Sequence, residues 1–166
     1  TLVPLASGAE GPRRLLASIA RNQGEPAKAA ELLAAELASE NTALEAAREL
    51  AALAAESGDA ERALLAHRRI AEVWPYDAAS HSALGRMALA QGDAGAALSR
   101  FRIALAAGPS DLVASRTDLA EALLRDGRAE AAKGELLTAL ENAPLYERAQ
   151  GLLLSIVDRP RPEERR

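Results

Sequence analysis

"LAQGDAGAAL", residues 89–98, sets Gly92 and Asp93 between two stretches rich in alanine and leucine. Both flanks read as helix, so Gln-Gly-Asp is a stop followed at once by a start. Glycine ends a helix by taking the left-handed conformation that a Cβ disfavours. Aspartate opens the next one by accepting from its unpaired N–H groups. The same turn recurs in "NQGEPAKAA" around Gly24, "ESGDAERAL" around Gly58 and "RDGRAEAAK" around Gly127. The four glycines lie 34, 34 and 35 residues apart. Self-similarity at such a period points to stacked helix pairs.

Other columns align with the glycines. Eight residues before each stands a leucine, followed by a small residue: Leu16-Ala17, Leu50-Ala51, Leu84-Gly85 and Leu119-Ala120. Five residues after each glycine is alanine (Ala29, Ala63, Ala97, Ala132), and four further on is a larger side chain (Leu33, His67, Phe101, Leu136). Proline stands seventeen after the glycine at Pro75, Pro109 and Pro144, with Asn41 in the first copy. Small residues facing one another let antiparallel helices approach closely, and the larger residue one turn on fills the space that opens. Proline closes the second helix of each pair. Asp59 and Asp93 are expected to cap, Pro26 suits the first helical position after Glu25, and Arg128 has no acceptor to offer.

These signals predict helices over 12–23, 26–39, 42–57, 60–73, 78–91, 94–107, 112–126 and 129–142, with a ninth at about 145–157. The ninth carries Leu152, Leu153, Ile156 and Val157 and reads as a cap over the last apolar face. "TLVPLASGAEGP" lacks the charge and the long apolar run of a signal peptide. Residues 1–9 are therefore expected to be a linker within a longer polypeptide, and 159–166 a charged, flexible tail.

The chain has 166 residues, enough for one domain or one short repeat array. Aromatics make up only 2%, so the core must rest on alanine and leucine. A net charge of −4 argues against a nucleic-acid partner, whose affinity comes from lysines and arginines neutralising phosphates. No run approaches the roughly 20 apolar residues of a membrane span. There is no cysteine, so disulfides and thiolate-bound metals are excluded.

The columns resemble the tetratricopeptide repeat, whose pattern is W-x2-L-G-x2-Y…A-x3-F…P. Residues 78–112 match most fully, as His81-x2-Leu84-Gly85-x2-Ala88, then Ala97-x3-Phe101, then Pro109. Residues 44–77 and 113–146 match well, and 10–43 matches without the proline. The family's Trp and Tyr are missing. The resemblance implies an all-α, right-handed α-solenoid of about four such helix pairs, with a capping helix over 147–158.

Little in the chain points to catalysis, which needs a nucleophile, a base and an orienting group in one pocket. Its two histidines, His67 and His81, occupy repeat columns and read as packing residues, and a metal site between them would lack further ligands. Asp59, Asp77, Asp93 and Asp111 stand at helix starts, where carboxylates cap. Glu31, Glu36 and Glu61 read as exposed. Trp74 is expected to staple the loop before Pro75 to the next helix. No cofactor is called for.

In the family the first helix of each pair lines a concave groove. The resemblance carries that role to Arg14, Ser18, Arg21 and Asn22; to Glu45, Arg48 and Glu56; to Ser82 and Arg86; and to Thr117, Glu121 and Arg125. The guanidinium fork suits carboxylates, and Arg48 and Arg86 are expected to anchor an acidic or C-terminal peptide. The Lys-and-Asn clamp of tetratricopeptide co-chaperones is absent, since its positions hold Arg14, Ser18 and Glu49. The expected function is a non-catalytic scaffold for a protein or peptide segment. The rivals are a structural appendage that orients a neighbouring catalytic domain, and a sensor or enzyme with a small-molecule pocket.

Overall fold

The structure is a computed structural model describing residues 11–39 and 43–157. The expected linker, Asn41, Thr42 and the charged tail lie outside the described residues. Those described form helices without strands: α1 (Pro12–Asn22), α2 (Pro26–Ser39), α3 (Leu44–Ser57), α4 (Ala60–Val73), α5 (Ala78–Ala90), α6 (Ala94–Ala106), α7 (Leu112–Arg125), α8 (Ala129–Asn142) and α9 (Glu147–Val157). Each expected helix is present, with ends displaced by at most two residues.

The punctuation acts as its chemistry requires. Gly24, Gly58, Gly92 and Gly127 all have positive φ, between 71° and 81°. Asp59, Asp77, Asp93 and Asp111 each accept from the backbone N–H three residues on, at 3.0, 2.7, 2.8 and 2.8 Å. The Arg62 N–H bond holds the Asp59 carboxyl below its ordinary pKa. A group depressed on folding adds stability above its unfolded pKa and loses it as pH falls through the folded value. Arg128 makes no side-chain cap at α8.

Contacts divide the chain into two compact units, one ending at Pro75 and the other starting at Tyr76. The division falls in a loop where Trp74, Pro75 and Tyr76 are all exposed. In the first unit α1 pairs with α2, α3 pairs with α4, and α2 packs on α3. Its core gathers Ala17, Leu33, Leu37, Leu50, Ala66 and Ile70. In the second, α5 pairs with α6, α7 with α8, and α9 lies against α8. Its core gathers Phe101, Leu119, Leu123, Leu136 and Ala149.

The alanine column Ala29, Ala63, Ala97 and Ala132 is buried throughout. Ala97→Leu should destabilise by roughly 1–3 kcal/mol, because overpacking a close helix contact forces strain. Ala94→Leu, half-exposed on the first residue of α6, should cost far less. Equal shifts in urea midpoint would show that the faces of α6 are misassigned.

Three side chains depart from the pattern. Leu16 is 51% exposed, whereas Leu50, Leu84 and Leu119 of the same column are buried. Glu36, expected at the surface, is only 7% exposed. Its carboxylate lies beside the start of α1, where a Cβ on Gly11 would come within 2.8 Å of it. The helix N-terminus favours negative charge there. On α9, Leu152, Leu153 and Ile156 pack against the second core, but Val157 is 65% exposed.

Candidate ligand pocket on the second unit

Helices α5, α7 and α9 each send a charged side chain to one place. Asp118, in mid-α7, is 1% exposed. One of its carboxylate oxygens accepts from Arg86 Nη1 of α5 at 2.9 Å, the other from Arg148 Nη1 of α9 at 2.5 Å. Arg148 Nη2 donates to Glu121 at 2.7 Å, one turn along α7 from Asp118. Burial disfavours the Arg148 charge, but bonds from Glu121 and Asp118 outweigh it and raise its pKa above the ordinary value. A carboxylate so deep in a low-dielectric interior is tolerated because both oxygens meet guanidinium donors.

Above this network opens a concavity of about 400 Å³, lined by Arg86, Leu89, Ala90, Glu121, Arg125 and Arg148. Arg125 Nη2 stands 3.6 Å from Glu121, too far for a good hydrogen bond, and its side chain is 63% exposed. Arg86 uses one terminal nitrogen on Asp118 and is 57% exposed. Leu89 and Ala90 form an apolar wall.

Of the residues assigned to the groove, the structure brings Arg86, Glu121 and Arg125 together. Ser82 and Thr117, assigned to the same groove, are buried instead. Ser82 is 8% exposed, and Thr117 is 0% exposed with its hydroxyl donating to Val113 O at 2.8 Å. Both lie within the helix packing. The remainder belong to the first unit. Arg14 pairs with Glu49 at 3.0 Å, and Ser18 donates to Leu15 O at 2.8 Å. Arg21, Asn22 and Glu56 are exposed. Arg48 pairs with Glu45 at 3.0 Å and lies 5.9 Å above the Trp74 ring, so Trp74 meets the preceding α3.

Asp118 and Arg148 are not legible as site residues from the repeat alone. Asp118 stands one residue before the Leu119-Ala120 column, in a helix interior where a carboxylate has no cap to make, and that position is the available signal. Arg148 lies in the first turn of α9, outside the four repeats. His81 is 4% exposed, with Nδ1 at 3.4 Å from Arg100 Nη1, and His67 is half-buried. Among the described residues no cluster of three metal-binding side chains occurs, and no helix is long and apolar enough to cross a membrane.

Antiparallel helix pairs joined by glycine turns and closed on alanine contacts define a helical-repeat protein. Residues 88–156 match the sequence profile of the tetratricopeptide repeat, so the resemblance read from the columns holds, and the chain has that fold. Solved structures agree at the level of fold. A MamA RS-1 double mutant is 20% identical with a TM-score of 0.71, over 89% of this chain and 85% of that one. Cut9, in the hetero-tetramer Cut9–Hcn1 of the APC/C, is 19% identical with a TM-score of 0.64, over 89% of this chain and 30% of that one. TTC0263, a thermophilic tetratricopeptide protein of Thermus thermophilus, is 20% identical with a TM-score of 0.51, over 87% of this chain and 97% of that one. No curated protein sequence matches the chain. The fold is typical of protein-interaction scaffolds.

Proposed function

We propose that the chain is a non-catalytic scaffold that binds an acidic protein or peptide segment, and that the pocket of α5, α7 and α9 takes its carboxylate. The observation that carries this reading is the set of arginines around one apolar-walled concavity, with donors on Arg86 and Arg125 not taken up by Asp118 or Glu121. A carboxylate between two such guanidiniums forms charge-assisted bonds, with Leu89 and Ala90 offering apolar contact beside them. Arg125 thus replaces Arg48, which lies outside the pocket, as the companion of Arg86.

Removing Arg86 and Arg125 together should weaken binding of an acidic peptide by a few kcal/mol, since each charge-assisted bond contributes roughly 1.5–3 kcal/mol. Arg125→Ala alone should leave stability within about 0.5 kcal/mol, as exposed changes do. Glu31→Ala, exposed in the first unit, is the control. Fluorescence anisotropy with labelled acidic peptides reads the binding, and urea denaturation reads the stability. Loss of a partner on mutating outer faces, with Arg86→Ala and Arg125→Ala binding normally, would favour the structural-appendage role.

A further inference from the structure

We infer that Asp118 sets the charge of ligand this pocket accepts, favouring a singly charged carboxylate over a doubly charged phosphoryl group. The inference rests on the acidic-segment reading above. Three guanidiniums, Arg86, Arg125 and Arg148, surround two carboxylates, Asp118 and Glu121. The set therefore carries a single net positive charge, which one carboxylate balances and a phosphoryl dianion overshoots.

Asp118 is too deep to touch a ligand, so it acts through the arginines as a positioning residue. It holds a guanidinium of α5 on one oxygen and one of α9 on the other. Both terminal nitrogens of Arg148 are engaged, Nη1 on Asp118 and Nη2 on Glu121, which ties it down more than Arg86 or Arg125. That leaves Arg86 and Arg125 as the groups that meet the ligand. Because the Asp118 charge sits in a low-dielectric interior, the pocket feels it with little screening.

The test is a binding comparison on the whole chain with amidated synthetic peptides that differ at one central position, glutamate against phosphoserine. A peptide without acidic side chains but with a free C-terminus separates a terminal carboxylate from a side-chain one. The wild type should bind a carboxylate peptide more tightly than the phosphoserine peptide. Asp118→Asn should shift that preference toward phosphoserine on the order of tenfold, the effect of one added unit of charge nearby. Asp118→Glu, which keeps the charge, should retain the wild-type preference. Glu121→Gln removes the same charge from the half-buried rim and should shift preference in the same direction, which keeps the test sound should Asp118→Asn not fold. A preference unchanged in Asp118→Asn or Glu121→Gln overturns the role of charge while leaving acidic-segment binding intact. Failure of the wild type to bind any carboxylate peptide overturns both.

Discussion

Phe101→Ala is expected to lower stability by about 3–5 kcal/mol, the range for deleting a large buried aromatic side chain. Phe101 is 1% exposed and is the largest fully buried side chain among the described residues. Its ring lies against the backbone of α5 at Gly85, where an added Cβ would come within 2.5 Å of a ring carbon. No real Cβ approaches that closely, so Gly85→Ala should itself cost roughly 1–3 kcal/mol through overpacking. The two effects are coupled. With the ring gone, the methyl at position 85 has room, and alanine is the better helix former by about 1 kcal/mol. Gly85→Ala should therefore turn from destabilising to neutral or stabilising in a Phe101→Ala background. Chemical denaturation of the two single variants and the double variant measures the coupling; additive losses would mean that ring and glycine do not meet.

Leu50→Ala and Leu16→Ala test the repeat from the other side, since the two leucines hold the same column. Leu50 is 0% exposed in the core of the first unit, and its truncation should cost about 2–5 kcal/mol from lost burial and the cavity left behind. Leu16 is 51% exposed, and its truncation should stay within about 0.5 kcal/mol. The difference comes from neighbours. Leu50 lies on α3, with α2 packed against that helix and α4 paired with it. Leu16 faces away from the core that holds Ala17 and Ala20. Thermal melts followed by circular dichroism would show it. Equal losses would imply that α1 is covered as fully as α3.

Helix limits are readable in the sequence because they are local. A glycine of positive φ, an aspartate on its own helix's third N–H and a proline need no distant partner to act. Burial is not local, and there the sequence misleads. Glu36 looks like a surface acid because nothing near it in sequence shows that the start of α1 returns to meet it. Thr117 occupies the same column as Arg14, Arg48 and Ser82, yet α7 has helices packed along more of its surface than α1 or α3 and takes that column inside. The pocket is half legible for the same reason. Arg86, Glu121 and Arg125 follow from the repeat, because first helices share a face. Asp118 and Arg148 depend on which helix lies beside which, and α9 brings its arginine from outside the repeated pattern.

The unequal capping of the turns has a consequence for motion. Asp93 ties down the start of α6, and Asp59 and Asp77 do the same for α4 and α5. Arg128 instead turns back to Asp126, an ion pair of 2.5 Å, and offers α8 no acceptor. The first amides of α8 thus lack the side-chain bond that protects their counterparts. A helix frays first where its end groups are least satisfied, so hydrogen exchange at the start of α8 is expected to be faster than at the aspartate-capped starts of α4 and α6. A turn copied four times in sequence need not be four equal hinges; the one after Gly127 lacks the aspartate cap that follows Gly58 and Gly92.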